Sequence, residues 1–299
     1  MNKNLLKNLS KTVPSFLKGW IKFLLFPRYY LRIFFNDLRS FCGWVSYPTK
    51  IIFVAGYPKS GTTWMENFLS NIPGYNPRVI HGDPELIRHH NLPDDAFSRF
   101  PKHGYSSVKS HLFPSKRNIE ILISNGVSKV LVMYRDPRDI VVSNYYHILE
   151  DNPWEISDSF YADYNKMSKD DAISHSIDVT LNDYLSWVKG WREMAFKKEG
   201  LDCMCIRYED FRENPEKIFK EVLSFFCVDL SSERLKLIMT RSQNVPKGFM
   251  SIMPGRKSTR RKGLIGEWKI EMNNEHKKIF KDKASEILVE LGYEKDMNW

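Results

Sequence analysis

A nine-residue loop combines two glycines, three Ser or Thr hydroxyls and one lysine, which are residue types that bind anions. It follows the apolar run Ile51–Ala55 and reads Gly56-Tyr57-Pro58-Lys59-Ser60-Gly61-Thr62-Thr63-Trp64. A strand, a glycine-rich turn and a helix N-terminus together direct backbone N–H groups at one point, where they hold a phosphate-like group. We therefore expect an anion site here, rather than an ordinary strand-to-helix turn.

The loop differs from the Walker A motif, G-x-x-x-x-G-K-[ST], at one position. Thr62 stands where the lysine that reaches β- and γ-phosphates would be, and the only lysine, Lys59, lies inside the loop. A lysine inside the loop should face a ligand group that lies closer to the loop backbone than the β- and γ-phosphates do. The sequence therefore predicts a nucleotide with a shorter anhydride chain and no metal ion.

Lys109-Ser110-His111 is a second group that could do chemistry, because it combines a cation with an imidazole. In an extended segment Lys109 and His111 lie on one face. A histidine beside a cation has a lowered pKa, so it stays neutral and can act as a base near pH 7. The alternative is a surface lysine next to a capping histidine.

Arg135 and Tyr208 each follow a predicted strand. Arg135 can bind a phosphate through two parallel hydrogen bonds, and Ser143, one turn into the next helix, can donate to the same group. Pairing between Arg135 and Asp139 is the alternative. Tyr208 either reaches a base or ribose or is a buried tyrosine with one hydrogen bond.

Five cations precede Gly263 within a short basic segment: Arg256, Lys257, Arg260, Arg261 and Lys262. Such a run is usually a solvated surface. Here Gly263, Gly266 and Trp268 follow at once, and glycine allows the backbone to approach a ligand closely. We expect a second phosphate site, distant from the first.

Apolar runs alternate with helical patterns from residue 51 onward, and these elements must position the groups above. Strands are predicted at 51–55, 106–110, 129–134 and 203–207. Helices are predicted at 66–72, 119–125, 139–149, 180–198, 215–227, 232–239 and 274–291, with 73–105 mostly loop and 150–177 irregular. The alternation predicts an α/β fold, a P-loop-type mainly parallel sheet flanked by helices. Open α/β sheets bind their ligands just past the strand ends, where these polar groups lie.

Composition is that of a globular chain, with 42% hydrophobic and 27% charged residues, a formal net charge of +9 and a pI near 9.2. A basic chain fits polyanionic partners, namely a nucleotide, an anionic membrane or nucleic acid, and charge alone does not choose among these. With the motifs above, we expect a nucleotide and no nucleic-acid partner. Cys203 and Cys205 lie in an apolar run and read as buried strand residues, so a reducing compartment, the cytoplasm, is expected. Charges interrupt every apolar run, and no secretory signal is recognised.

Residues 1–48 differ from the rest and are predicted to be a basic aromatic arm preceding a single domain at 49–299. Phe16, Trp20, Phe23 and Leu24 have helical spacing. A basic helix with Trp, Phe and Leu can lie in a membrane interface, so residues 15–35 predict a peripheral membrane contact. A helical extension packed on the core, or an arm that binds a partner, are the alternatives.

Four motifs in order resemble the nucleotide-dependent sulfotransferases, especially the cytosolic-type group, over roughly Thr49 to Leu291. The loop 57–64 matches the family's 5′-phosphosulfate loop letter for letter, and Lys109-Ser110-His111 matches K-[TS]-H. Arg135 and Ser143 match the 3′-phosphate segment R-(x)₇-S. Residues 261–269 match R-K-G-x-x-G-[DE]-W-K.

The resemblance implies an enzyme that moves a sulfonate from 3′-phosphoadenylyl sulfate (PAPS) to the hydroxyl of an alcohol or phenol. His111 is implied as the general base, Lys59 as stabiliser of the leaving phosphate and Lys109 as stabiliser of the sulfonate. The residues implied to bind the 5′-phosphosulfate and adenine are Lys59, Ser60, Gly61, Thr62, Thr63, Trp64 and Tyr208. Those implied to bind the 3′-phosphate are Arg135, Ser143, Arg261, Lys262 and Gly263.

The sequence departs from the family at two places. Thr240-Arg241-Ser242-Gln243 stands where the family often has Thr-Ser-Phe or Ala-Ser-Phe, in which the Ser or Thr binds phosphate and the Phe covers the adenine. The segment after Lys269 lacks the Thr-Val of the family's dimer motif, so we do not predict that dimer. The acceptor, a small molecule or a lipid, is expected against residues 81–105 and 150–180 and near the last loop, the basic segment before Trp268. The residues expected to line that pocket are His81, His89, His90, Phe97, Phe100, Trp154, Phe160 and Tyr161.

Two other functions remain open at this point. A P-loop kinase would use ATP and Mg²⁺, although Thr62 replaces the lysine that such an enzyme needs. A non-catalytic, membrane-associated nucleotide-binding protein could share the fold.

Overall fold

Five parallel strands form one sheet in the computed structural model, which describes residues 24, 27–151, 163–197, 200–243 and 263–299. The strands are β1 (Ile51–Gly56), β2 (Tyr75–Arg78), β3 (Tyr105–Ser110), β4 (Lys129–Tyr134) and β5 (Asp202–Arg207). Their order across the sheet is β2-β3-β1-β4-β5, and every neighbouring pair is parallel. The predicted parallel α/β architecture is confirmed.

Helices cover both faces of this sheet. In the described residues they are α1 (Pro27–Phe41), α2 (Thr62–Leu69), α3 (Pro84–Arg88), α4 (Lys116–Ser124), α5 (Pro137–Asp151), α6 (Lys169–Lys197), α7 (Tyr208–Glu213), α8 (Pro215–Phe225), α9 (Ser232–Gln243), α10 (Trp268–Glu271) and α11 (Asn274–Glu290). None of them is long and apolar enough to cross a membrane.

Alternation along the central strands divides the core into two layers. Phe53 and Ala55 of β1 pack into one cluster, whereas Ile52 and Val54 pack into the other, and all four are essentially inaccessible to solvent. Successive side chains of a strand point to opposite faces, so a strand covered on both faces buries side chains on each of them, and in β1 these side chains are apolar. This is why β1 was readable as a buried parallel strand.

Parallel register brings the carboxyl ends of four strands to one edge of the sheet. Ala55 of β1 is level with Ser110 of β3, and Gly56 is level with Met133 of β4. Tyr134 of β4 is level with Arg207 of β5. The loops that follow these strands therefore meet at a single edge, where open α/β sheets place their ligands.

The segment 73–105, predicted as mostly loop, contains the edge strand β2 and the short helix α3. Pro77 interrupts β2, and a proline is tolerated there because an edge strand does not need every N–H for pairing. The sequence pattern hid this strand because it carries Asn76 and Pro77 in place of a run of β-formers.

The prediction that 150–177 is irregular is wrong for residues 169–177, because α6 begins at Lys169. Ser168 caps this helix by accepting a hydrogen bond from the Asp171 N–H at 3.1 Å. Its inward face includes Ser176 and Thr180, both buried, and these small polar residues interrupt the apolar periodicity. The residues 152–162, which include Trp154, Phe160 and Tyr161, lie outside the described part of the chain.

Candidate active site

The loop between β1 and α2 has the backbone geometry of an anion cradle. Lys59 and Gly61 both have left-handed conformations, with φ of 72° and 83°. Gly61 is the N-cap of α2 and no side chain caps the helix, so its first backbone N–H groups are directed at the loop. A Cβ on Gly61 would lie 2.5 Å from the ring of Tyr208, so only glycine fits there.

Two buried hydrogen-bond donors beside this cradle have no hydrogen-bond partner. They are Ser60 Oγ and Arg135 Nε. Buried donors are nearly always paired in folded proteins, so an unpaired hydroxyl and an unpaired guanidinium N–H at one loop indicate a ligand that accepts hydrogen bonds. The residues present therefore fit an anionic group.

His111, directly after β3, is held against the end of β1. Its Nδ1 lies 2.6 Å from the carbonyl oxygen of Gly56. A carbonyl can only accept, so Nδ1 carries the proton and Nε2 keeps a free lone pair in the neutral ring. Burial lowers the pKa of His111 to about 4; the neighbouring Lys109 and Lys59 are smaller causes than the burial, although Lys109 was the cause we expected.

Helix α6 fixes the backbone that carries His111. Trp187 and Trp191, four residues apart on α6, both donate to the Leu112 carbonyl at 2.9 Å. The Tyr57 hydroxyl, from the cradle, lies 3.0 Å from Asp183 Oδ2 on the same helix. One helix therefore holds both the histidine and the anion loop in place.

Lys109 reaches the first turn of α2. Its Nζ lies 2.7 Å from Thr63 Oγ1 and 3.0 Å from Glu66 Oε2. The Glu66 side chain is only 3% exposed. Glu66 was not among the predicted site residues, although helical spacing, which places it one turn after Thr63, could have indicated it.

Arg135 and Asp139 join the cradle to the chain around residues 263–268. Arg135 donates to the Lys59 carbonyl at 3.3 Å and to the Leu264 carbonyl at 2.8 Å. Asp139 accepts the backbone N–H groups of Gly266 and Trp268 at 2.8 and 3.1 Å. The Arg135–Asp139 pair considered as an alternative exists at 3.6 Å, but it leaves the Arg135 Nε without a partner.

Aromatic rings line one side of the same loop. The Tyr208 hydroxyl donates to the Gly263 carbonyl at 3.1 Å, and the Arg135 guanidinium lies 4.6 Å from the Tyr208 ring centre. Trp64 packs on Phe211 with ring centres 4.3 Å apart. This links the anion loop, the Arg135 segment and the chain at Gly263.

The remaining predicted nucleotide ligands are placed only in part. Ser143 lies half-buried in α5, and Gly263 has a left-handed φ of 65°. The basic residues before Gly263, including Arg261 and Lys262, lie outside the described residues, as do 15–23 of the arm.

His90, one of the residues expected to line an acceptor pocket, lies beside His111. The two imidazole ring centres are 6.1 Å apart and nearly perpendicular. His90 has a left-handed φ of 60°, which is strained for a residue with a side chain. Phe97 does not fit the expectation: it is 6% exposed and packs in the core against Phe53 and Phe100.

A family model described as "Sulfotransferase domain" matches residues 49–292. The chain belongs to this sulfotransferase family. The resemblance drawn from the sequence motifs, to cytosolic-type sulfotransferases, is confirmed, and the protein is a sulfotransferase.

Relatives of known name agree with this assignment. Zebrafish (Danio rerio) sulfotransferase 6B1 is 25% identical over 73% of this chain and 71% of its own length. Sulfotransferase 2A1 of Macaca fascicularis is 24% identical over 80% of this chain and 86% of its own length.

Solved structures show that the fold is shared. A mouse sulfotransferase, SULT7A1, complexed with PAP has a TM-score of 0.60 and 18% identity over 86% of this sulfotransferase and 88% of its own chain. Retinol dehydratase in complex with androsterone and PAP has a TM-score of 0.50 and 18% identity, with 86% and 85% covered.

Proposed function

We propose that this sulfotransferase moves a sulfonate from PAPS to the hydroxyl of an alcohol or phenol, with His111 as general base and without a metal ion. The observation that carries the proposal is the position of His111. Its ring is fixed on the Gly56 carbonyl, at the point where β1 enters the anion cradle. Gly56 therefore ends the strand that leads into the cradle, and its carbonyl also holds the proposed base, His111.

His111 would act through Nε2. The Gly56 carbonyl holds the tautomer in which Nε2 is unprotonated, and a pKa of about 4 keeps the ring neutral at pH 7. Nε2 accepts the proton of the acceptor hydroxyl as the oxygen attacks the sulfonate. An anionic group in the cradle raises the pKa of the imidazole beside it, so the ring becomes a stronger base when the site is loaded.

PAPS would supply an activated sulfonate and two separated phosphate groups. The uncapped start of α2 and the unpaired Ser60 Oγ support binding of the 5′-phosphosulfate by residues 59–64. Lys59, inside that loop, stabilises the phosphate that leaves. The unpaired Arg135 Nε supports a 3′-phosphate site. We assign that site to Arg135 and Ser143 together with Arg261, Lys262 and Gly263.

Lys109 is proposed to stabilise the sulfonate during transfer. Its amine already lies 2.7 Å from Thr63 Oγ1, at the first turn of the cradle helix. Sulfonyl transfer resembles phosphoryl transfer in needing positioning and charge stabilisation more than covalent chemistry. Trp64 and Tyr208, whose rings border the loop, are proposed to contact the adenine.

The acceptor class we favour is a lipid-like alcohol bound near His90 and His111. The ring-to-ring approach of these two histidines gives a hydroxyl two imidazoles to contact. A related fold has been solved with androsterone and PAP, which is consistent with an apolar acceptor. A small phenol is the other candidate.

Calorimetric titration with adenosine 3′,5′-bisphosphate and with Mg²⁺-ATP tests the nucleotide part of the proposal. We expect the bisphosphate to bind at least tenfold more tightly, about 1.4 kcal/mol, because the loop lacks a lysine for a γ-phosphate. Equal or tighter ATP binding would revive the kinase alternative.

His111→Ala separates catalysis from mere binding. We expect bisphosphate affinity to be retained and sulfonate transfer to fall by about 10²- to 10⁴-fold, the usual contribution of a general base. Unchanged transfer would exclude His111 as the base. Failure of the wild type to modify any acceptor would favour a non-catalytic nucleotide-binding protein.

We further propose that the chain is cytoplasmic, that residues 1–48 form an arm preceding the domain at 49–299, and that residues 15–35 contact a membrane peripherally. The basic and aromatic composition of this segment supports the contact. Flotation of the full chain with lipid vesicles, compared with a variant carrying Trp20→Ser and Phe23→Ser, tests it. Equal flotation of the two proteins would contradict the contact through this segment.

A further inference from the structure

Helix α1 is attached to the domain by its polar side. Asn36, which is 3% exposed, donates to the Tyr75 carbonyl at 2.9 Å and to Asn76 Oδ1 at 3.2 Å on the edge strand β2. Asn76 in turn donates to Asp37 Oδ1 at 2.8 Å. A helix on a protein surface normally packs its apolar side on the domain and exposes its polar side. In α1 the arrangement is the reverse, because the polar side packs on the domain.

The side of α1 that faces outward is apolar and aromatic. Leu31, Phe34, Phe35 and Phe41 are 42%, 60%, 49% and 80% exposed, and the Phe34 and Phe35 rings touch edge to face at 5.7 Å. Trp44, three residues after the helix, is 69% exposed. We call this set the outer face of α1. Contiguous exposed aromatic surface of this kind marks an interaction site.

The composition of the chain before and within α1, and the cleft next to Trp44, indicate what covers the outer face. Residues 1–35 contain seven Lys or Arg and no Asp or Glu. A cleft of about 290 Å³ beside the outer face is lined by Trp44 and two cations, Arg39 and Arg234, with one acid, Asp229. Aromatic side chains next to cations match the boundary between acyl chains and anionic headgroups, where Trp and Phe enter the apolar layer and Arg binds phosphate.

We propose that the outer face of α1, with the adjoining arginine cleft, docks the protein on an anionic phospholipid surface. This deepens the peripheral contact proposed above by assigning it to a folded, fixed surface outside residues 15–23. Because α1 is bonded to β2 through Asn36 and Asp37, the surface holds the sheet at a set orientation to the membrane. Docking does not require the proposed transfer reaction, so the two can fail separately.

Flotation of the full chain with phosphatidylcholine vesicles, with and without phosphatidylserine, tests the outer face. We expect the double variant Phe34→Ser, Phe35→Ser to bind vesicles containing phosphatidylserine at least about tenfold more weakly than wild type. Phe196→Ser is the matched control, because Phe196 is 89% exposed at the far end of α6, and it should bind as wild type does. Equal binding by all three proteins overturns the proposal.

The arginine cleft is tested by Arg234→Gln against Lys236→Gln, two exposed cations of the same helix, α9. We expect only the first to weaken binding, and only to vesicles with phosphatidylserine. Sedimentation velocity tests the other occupant, a second copy of the chain. A dimer that Phe34→Ser, Phe35→Ser dissociates, together with no lipid binding by wild type, would also overturn the proposal. Unchanged melting temperatures and bisphosphate binding show that the variants are folded.

Discussion

The ionisation of His111 links its packing to the stability of the whole domain. Its pKa falls from 6.5 to about 4, so between these values the unfolded chain binds a proton that the folded chain does not. The neutral ring therefore contributes stability that is complete above pH 6.5 and is lost as the pH falls toward 4. From pH 7 to pH 5 the loss is about 2 kcal/mol, at 1.36 kcal/mol for each pH unit below 6.5.

His111→Gln isolates this effect, because glutamine can donate to the Gly56 carbonyl but does not titrate. Urea unfolding of both proteins at pH 7 and pH 5 gives two free-energy differences. We expect wild type to lose about 2 kcal/mol relative to the variant between these pH values, while other titrating groups cancel. His89→Gln, on an exposed ring, is the matched control and should follow wild type.

A constant difference between wild type and His111→Gln across this pH range would refute the reasoning. It would mean that the ring is as well hydrated in the folded protein as in the unfolded chain. The Nδ1 contact would then not hold a buried neutral base.

Three further predictions concern the residues around the cradle. Glu66→Gln removes the carboxylate that holds Lys109, so we expect the turnover number in steady-state kinetics to fall by about ten- to a hundredfold. Bisphosphate affinity, measured by calorimetry, should be nearly unchanged. An unaltered turnover number would show that Lys109 needs no such partner. Gly61→Ala places a Cβ against the ring of Tyr208 at a φ of 83°, so the free energy of unfolding, measured by urea denaturation, should fall by about 1–3 kcal/mol. A variant as stable as wild type would contradict the close contact between residue 61 and the Tyr208 ring. Asp139→Ala removes the only carboxylate that forms an ion pair with the buried Arg135 in the described residues, and it leaves the backbone N–H groups of Gly266 and Trp268 without their acceptor. We expect this to cost about 3–5 kcal/mol of stability and to weaken bisphosphate binding; retained stability and affinity together would argue against this link.

Features formed by residues that are neighbours in the chain could be predicted from the sequence. The cradle is a continuous segment whose strand, glycines and helix start are all visible in residues 51–69. The buried strands were readable because a strand covered on both faces is apolar throughout. Arg135 could be selected because it directly follows an apolar run, and His111 because it directly follows a predicted strand and lies two residues after Lys109.

Contacts between distant segments could not be read in this way. The pairing of Glu66 with Lys109 joins residues far apart in the chain, and nothing in either segment specifies the distance. The Nδ1 contact to Gly56, which sets the tautomer of His111, depends on the register of β1 and β3. The burial that lowers the pKa of His111 also results from tertiary packing, which the local sequence does not specify.

Irregular composition hid two elements. The edge strand β2 carries a proline, and the start of α6 carries small polar residues on its inward side, so neither shows the expected periodicity. The inverted orientation of α1 was also hidden. The helical spacing noted in the sequence lies at residues 16–24, before α1, and only the hydrogen bonds of Asn36 show that the polar side of α1 faces the domain.

Transfer of radiolabelled sulfonate from PAPS into a whole lipid and metabolite extract tests the central claim most directly. Wild type and His111→Gln are compared in the same extract, with bisphosphate binding measured for both. We predict a labelled hydroxyl-bearing product with wild type, and about a hundredfold or more less label with a variant that still binds the nucleotide. Equal labelling by the two proteins would contradict the assignment of His111 as the base, and no labelled product from wild type would contradict the proposed transfer to a hydroxyl.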